Sequence, residues 1–488
     1  MERADVLLYA VGRLIPAALG IGTLAVFTSF ATPAEYGRYA VIVAWQGLGC
    51  TILIHHLNYS LPRFWNDIES TRERDELVAT VVALSLVGLA ALGCLAIVLK
   101  NLGMLSAPEA FALFALGGSA TARTSIQEMV RASLRARLHT WNRICLSVVV
   151  LISGGALLVS GEMPASFAMM AGLFVGDVVV VGLTVFVCRS SIRIAVPRRG
   201  LAKRLLAFGL PVNATTVSNQ LTLSGLRIAI EHHLGPGAAG IYSASLDLAQ
   251  KLMTLTMQVP SLAIMPHFYR AVGRGDDSEQ RRLLSRLAIY SAALGGGVLG
   301  ATSFHPGSLG TLALGAEFVD GVVMCVPWLA LGTFIIRMKT NVLDVPLLVE
   351  RRVTAFLVQA LASGVVVIVG MVWLVDDHGI PGALVTFGAA YATQALLSVL
   401  MGGRPKLQPH VGAWLIKVMG VVSASVVLSK GVVWPMSSEL TGARLGSAIP
   451  LAAYSVALVL GYFLIDIDGI RGTVVRWIRG KRGSGVSG

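Results

Sequence analysis

LLAFGLPVNATTVSNQLTLSGLRIAIEHHLGPGAAGIYSAS, residues 205–245, is the stretch on which the architecture of the chain turns. An apolar segment opened by Leu210-Pro211 runs outward, turns through Gly235-Pro236-Gly237-Ala238-Ala239-Gly240, and re-enters at Ile241-Tyr242. The same turn stands earlier as Thr32-Pro33-Ala34-Glu35-Tyr36-Gly37-Arg38-Tyr39. Both read x-P-x-x-x-G-x-Y, so Pro33, Gly37 and Tyr39 match Pro236, Gly240 and Tyr242 at a constant offset of 203 residues. Each copy lies in the first outer turn of a run of six apolar segments. A repeat of that size predicts two similar helical bundles facing each other, with a site between them.

The bulk numbers agree. Of the 488 residues 55% are hydrophobic and 13% charged, against about 25% charged in an average soluble domain. Mean hydropathy is +0.74, and no charged, loop-rich block is large enough for a soluble domain. The fold class predicted is an all-α polytopic membrane protein. At about 20 residues per span, fourteen transmembrane helices are expected near 6–31, 39–59, 78–99, 110–130, 144–160, 165–187, 205–230, 240–266, 287–304, 319–338, 353–375, 382–402, 413–429 and 447–465. They group into two six-helix lobes, at 1–188 and 205–403, joined by a basic linker at 189–204 that holds Pro197-Arg198-Arg199-Gly200. Two added helices occupy 404–466, and a basic tail runs over 467–488. The first apolar run exceeds a signal peptide's core of about 7–15 residues, and is read as an uncleaved helix.

A net charge of +13 would suggest nucleic acid in a soluble protein. Here the positive-inside rule explains it, and no nucleic-acid partner is expected. Arg38, Lys100, Lys430 and Arg444 fall in alternate loops; Arg13, Arg123, Arg227 and Lys251 fall inside spans; the other Lys and Arg are read onto the opposite face. Both termini are therefore expected to be cytoplasmic. Cys50, Cys94, Cys145, Cys188 and Cys325 are scattered singly, without C-x-x-C, and read as small core residues. Gly295-Gly296-Gly297-Val298-Leu299-Gly300 has no preceding strand and reads as helix-packing glycine. Adjacent histidines on a helix diverge by about 100°, so His55-His56 and His232-His233 make poor joint metal ligands. No H-E-x-x-H, Walker loop or G-x-S-x-G occurs, which leaves neither ATP-driven pumping nor hydrolysis supported and no cofactor expected.

The polar residues inside spans carry the functional reading. Asn213, Thr216, Gln220, Ser224 and Arg227 recur at helical spacing along the seventh span, and Ser243, Asp247, Lys251, Thr254 and Gln258 along the eighth. An Arg or Lys at a helix centre costs roughly 2.5–3.5 kcal/mol on insertion scales, so these stripes face protein or water rather than lipid. The neutral members serve equally well as interhelical contacts, and Asp247 and Lys251 could neutralise each other at i,i+4. In the first lobe neither Arg13 nor Arg123, which has Gln127 one turn on, has an acid one turn away, and Asp177 is the deep carboxylate available. Arg123 and Asp177 either form a buried pair, or Arg123 meets an anionic ligand and Asp177 takes a proton or cation. Arg227 either faces the cavity or snorkels to the outer surface. Four deep cations against Asp177 and Asp247 leave a positive hollow suited to a pyrophosphate.

The chain resembles the polysaccharide-export branch of the multidrug/oligosaccharidyl-lipid/polysaccharide (MOP) exporter superfamily, the Wzx-type flippases. The resemblance rests on Thr32-Pro33-Ala34-Glu35-Tyr36-Gly37-Arg38-Tyr39, on Leu210-Pro211, and on Leu234-Gly235-Pro236 followed by Gly240-Ile241-Tyr242-Ser243. It implies a V-shaped, MATE-like pair of lobes in a bacterial inner membrane. It also implies movement of a polyprenyl-pyrophosphate-linked glycan, such as an O-antigen or exopolysaccharide repeat unit, to the periplasmic leaflet. Arg13, Arg123, Arg227 and Lys251 would then hold phosphates, and Asn213, Thr216 and Gln220 would meet sugar. Asp177 and Asp247 would couple a proton or sodium ion, with membrane lipid, a polysaccharide polymerase and a chain-length regulator as partners. The family often has an acid just before the seventh-span arginine; here Gly225 and Leu226 precede Arg227. An ion-coupled drug exporter of the same superfamily is the alternative, disfavoured by the excess of deep cations. A membrane glycan polymerase or ligase usually needs a large catalytic outer loop, which this chain lacks.

Opposite exposure of alternate loops is directly measurable. In a chain cleared of native cysteines, Gly237→Cys is expected to react with an impermeant thiol reagent in intact cells, and Glu73→Cys only after permeabilisation. Labelling of both from one side would overturn the fourteen-span order.

Overall fold

The computed structural model describes residues 3–68, 70–133, 135–189, 195–350, 352–402, 407–430 and 443–465, with no strand among them. The tail expected at 467–488 and parts of both basic linkers lie outside the described residues. The first six rods are α1 (Arg3–Phe30), α2 (Pro33–Leu53) with its continuation α3 (His55–Asp67), α4 (Thr71–Asn101), α5 (Ala107–Ala132), α6 (Ala136–Ser160) and α7 (Ala165–Cys188). In the second lobe α8 (Arg199–Gln220) passes through a π-helical turn at Leu221–Gly225 into α9 (Leu226–Arg274), followed by α10 (Asp277–Phe304) and the short α11 (Pro306–Ala313). Then come α12 (Val319–Met338), α13 (Val345–Val349), α14 (Val353–Val369) and α15 (Val375–Gly402); α16 (Val411–Leu428) and α17 (Ala443–Leu464) are appended. Because α9 and α15 each bend into two, the described helices make the fourteen rods expected. Among the described residues eight helices are long and apolar enough to span a membrane by themselves, and α2 with α3, bent by 47°, makes a ninth. The helices that carry the polar stripes, α5, α8 and α9, are not among them.

Local chemistry explains where rods begin. Thr32 and Glu35 form a capping box: the Glu35 N–H donates to Thr32 Oγ1 at 3.3 Å and the Thr32 N–H to Glu35 Oε2 at 3.0 Å. Pro33 sits at the first helical position, where its missing N–H costs nothing. The second copy of the turn uses other means. Its six-residue turn contracts to a break at Gly235, whose φ of 84° suits a residue without Cβ, and Pro236 then restarts the helix. Gly379, with φ 63°, plays the same part in α15.

The two copies meet. A Cβ on Gly37 would collide with the Pro236 carbonyl oxygen, and one on Gly240 would collide with the Pro33 carbonyl oxygen. Backbone therefore packs on backbone reciprocally across the lobes, as small residues allow in membrane helices. Around this contact Tyr36 lies edge-on to Phe318 at 5.8 Å, and the Gly315 N–H donates to Thr28 Oγ1 at 3.0 Å. At the opposite, basic half α3 packs on α8: Ser60 Oγ donates to the Leu205 carbonyl at 2.8 Å. The glycine run of α10 packs on α17, where the Tyr454 hydroxyl donates to the Gly297 carbonyl at 2.8 Å, in keeping with its reading as helix-packing glycine.

Replacing Gly240 with Val is expected to part the lobes at the turn end. Spin labels at Ala34 and Ala238 should then report a longer distance than in the parent chain. An unchanged distance would mean that the glycine contact does not hold the lobes together.

Candidate functional site: a cationic cavity

The deep charges sort into pairs and singles. From α5, the Arg123 guanidinium meets Asp177 of α7 at 2.5 Å, and Ser119 Oγ donates to the other carboxylate oxygen at 3.0 Å. Arg227 and Asp247, both on α9 but on either side of the Gly235 break, form the second pair at 2.5 Å. The Tyr36 hydroxyl, from the first lobe, donates to Asp247 Oδ2 at 2.8 Å. Of the two possibilities open for Arg123, the buried pair is the one formed. Asp247 takes Arg227 as its partner, not Lys251, and Arg227 does not snorkel, its side chain being only 12% exposed. The acid that the family often places before this arginine is thus supplied from the next rod.

Among the described residues no carboxylate lies within ion-pair distance of Arg13, Arg143 or Lys251. All three face open space. A cavity of about 350 Å³ is walled by α1, α2, α5, α6, α7 and one side of α9, and includes Tyr36, Gln46, Arg123, Asp177, Asp247 and Lys251. Gly20 of α1 leaves room for the Lys251 stem, which would stand 3.2 Å from a Cβ there. A second cavity of about 400 Å³ opens toward the basic half and includes Arg13, Arg123, Gln127, Glu128, Arg131 and Arg143. Arg123, Leu146 and Ser147 line both, so the two meet at Arg123. Glu128 is held by Arg131 at 2.5 Å. What remains uncompensated along the path is positive.

The neutral stripe residues lie elsewhere. Asn213 Nδ2 donates to the Thr51 carbonyl at 2.6 Å, and Thr216 shares a 2.7 Å hydrogen bond with Tyr59. Gln220 Nε2 donates to Ser224 Oγ at 2.7 Å beside Gly47. The bonds of Asn213 and Thr216 are contacts between the lobes, where α8 meets α2 and α3, while the Gln220 bond stays within its own rod.

Three features escape the sequence reading. Arg143, assigned there to the basic face, reaches the cavity because α6 begins seven residues before it. Arg337, likewise assigned to that face, donates to Thr254 Oγ1 of α9 at 2.7 Å. Lys339 and Asp344 form a buried 2.8 Å pair, and Ser398 Oγ donates to Asp344 at 2.8 Å. Their spacing of five brings them together because Lys339–Leu343 is a π-helical turn, and no α-helical periodicity reveals that.

Known proteins share this architecture. A solved lipid II flippase MurJ, in an inward closed conformation, is 11% identical, with a TM-score of 0.70 over 95% of this chain and 100% of its own. An inward-facing MATE-family multidrug transporter of the MOP superfamily is 12% identical, with a TM-score of 0.58 over 83% of this chain and 98% of its own. The MATE multidrug transporter DinF-BH is 13% identical, with a TM-score of 0.55 over 82% of this chain and 94% of its own. At these identities the likeness is one of fold. Comparison with curated protein sequences finds no match. The model of a family described as polysaccharide biosynthesis protein matches residues 3–272, more than half of the chain. The chain belongs to that family, and it carries the fold of MOP superfamily transporters.

Proposed function

We propose that this protein is a flippase that carries a polyprenyl-pyrophosphate-linked oligosaccharide, an O-antigen or exopolysaccharide repeat unit, from the cytoplasmic to the periplasmic leaflet. The observation that carries the reading is the set of cations without carboxylate partners, Arg13, Arg143 and Lys251, strung along two joined cavities. A pyrophosphate entering from the basic half would meet Arg13 and Arg143 first, pass Arg123, and reach Lys251 beside the Tyr36–Asp247 contact. Charge-assisted hydrogen bonds to phosphate are the strong ones, and in a low-dielectric wall they are felt over several ångströms. The polyprenyl tail stays in lipid while the lobes rock about the headgroup. On this reading α3 and α8 separate to admit the glycan, and their polar contacts at Asn213 and Thr216 become available to sugar hydroxyls. Gln220 joins them.

Asp177 and Asp247 are the coupling groups in this proposal: a proton or sodium ion taken up at either would loosen its arginine. The membrane is the bacterial inner membrane with both termini cytoplasmic, and a polymerase and a chain-length regulator act on the delivered glycan. A drug exporter for cations is the less suitable reading, since the cavity carboxylates Asp177, Asp247 and Glu128 are each already engaged by arginine.

In vesicles with a labelled lipid-linked sugar, Arg13→Glu and Lys251→Glu are each expected to slow leaflet exchange at least about tenfold, as loss of a charged hydrogen bond would. Exchange at the parent rate in both would end the anion-path reading. A proton or sodium gradient should speed the parent chain and lose its effect in Asp247→Asn. Removing one member of a buried pair costs about 3–5 kcal/mol, whereas an apolar pair of similar volume is often neutral. Asp177→Leu should therefore melt well below the parent, and Arg123→Leu/Asp177→Leu near it while still transporting poorly.

A further inference from the structure

A separate pocket lies at the turn end, away from the cationic path. It measures about 520 Å³ and is lined by Phe304, His305, Ser308, Thr311, Val323 and Lys430 together with Pro306 and Gly307. The elements around it are the start of α11 and the end of the rod built on α16. It sits at the same end as the glycine contact, because the loop just after α11 is the one whose Gly315 bonds Thr28 of α1.

The polar groups here are unspent. The helix α11 starts at Pro306 with His305 as its cap residue, and no side chain bonds its first N–H groups. Its first backbone acceptor, the His305 carbonyl, is already taken by the Leu309 N–H at 3.1 Å. Among the described residues the Gly307 and Ser308 N–H groups make no hydrogen bond, and they stand at the positive end of the helix. His305 is 2% exposed and Ser308 4%, yet among the described residues His305 Nδ1 and Ser308 Oγ have no hydrogen-bond partner. A buried polar atom left without a partner costs about 1–3 kcal/mol, so two in one pocket beside an uncapped helix point to a missing ligand. Lys430 supplies a cation on an exposed side chain that can swing, its ammonium lying 5.8 Å from the Phe304 ring centre.

The histidine can serve as a donor without taking up a proton. His305 Nε2 lies 2.8 Å from Ser429 Oγ, whose hydroxyl also points back to the Val426 carbonyl at 3.0 Å. Rotation of that hydroxyl onto Nε2 leaves the imidazole hydrogen on Nδ1, which then donates into the pocket. The donor set becomes two backbone N–H groups, an imidazole N–H, a hydroxyl and an ammonium. Among the described residues no carboxylate lines the pocket. This is the arrangement that binds phosphate at helix N-termini.

We propose that this pocket is a phosphate site for a lipid headgroup. The phosphate is either the diester of an anionic membrane phospholipid or the pyrophosphate of a polyprenyl lipid; the donors suit both. Seated there, the headgroup joins the α11 loop, which contacts the first lobe, to the appended helices. The inference depends on the pocket alone and stands whether or not the cationic path carries a glycan.

The test is native mass spectrometry of the full chain in a maltoside detergent, with phosphatidylglycerol or inorganic pyrophosphate titrated separately. Lys430→Gln, at an exposed position, and Ser308→Ala are compared with the parent and with Lys100→Gln, an exposed lysine that lines neither this pocket nor the cationic cavities. The parent is expected to retain a ligand that each pocket variant binds about tenfold more weakly, while Lys100→Gln matches the parent. Loss confined to phosphatidylglycerol assigns a membrane lipid; loss confined to pyrophosphate assigns the polyprenyl lipid. Equal binding by the parent and both pocket variants, or binding of neither ligand by a monodisperse parent chain, overturns the site.

Discussion

Two glycines, Gly37 and Gly240, let the backbones of opposite lobes touch, and much of the remaining geometry is a consequence of that approach. With the helix starts that close together, Tyr36 comes within 2.8 Å of Asp247 and the loop at Gly315 settles on Thr28. In a bilayer no hydrophobic effect drives helices together, so contact is won by close packing and by interhelical hydrogen bonds. A methyl group at either glycine would hold the backbones apart, and the polar bridge from Tyr36 would not form. The closed end of the molecule is thus fixed by the absence of two side chains.

The same closure disposes of charge. An arginine in a membrane interior needs a partner or water, and the two deep aspartates each take an arginine. The excess positive charge is thereby moved off Arg123 and Arg227 and onto Arg13, Lys251 and the unforeseen Arg143, which line cavities rather than packed interior. The paired arginines are occupied by their aspartates, and on the function proposed above they would reach a ligand only after those aspartates let go. The unpaired cations can meet an anion directly. On the function proposed above, the pairs would serve as the trigger and the unpaired cations as the binding surface of one cavity.

The second lobe is not a copy of the first in its details. Three π-helical turns, at Leu221–Gly225, Lys339–Leu343 and Gly370–Leu374, interrupt its rods. One of them brings Lys339 onto Asp344, and another shifts the phase of the stripe between Gln220 and Arg227. Such a turn adds one residue to a helix and rotates the next stretch about the axis. This explains why Asn213 and Thr216 face the first lobe at α2 and α3, whereas Arg227 turns to Asp247.

By itself the sequence determined the class of protein, the fourteen rods, the paired turns and the residues whose burial needed explaining. Hydropathy follows from composition along each rod, and the turns follow from capping at Thr32 and Glu35 and from proline and glycine at fixed offsets. It could not decide who pairs with whom. Arg227 and Asp247 are twenty residues apart, Arg123 and Asp177 fifty-four, and nothing local favours those partners over Lys251 or a ligand. Arg143 and Arg337 look like residues of the basic face until helix length and packing draw them inward. Only the tertiary structure settled these points, because ion pairs and cavities depend on which rods touch, and that contact is set by side-chain volume at positions far apart in the chain.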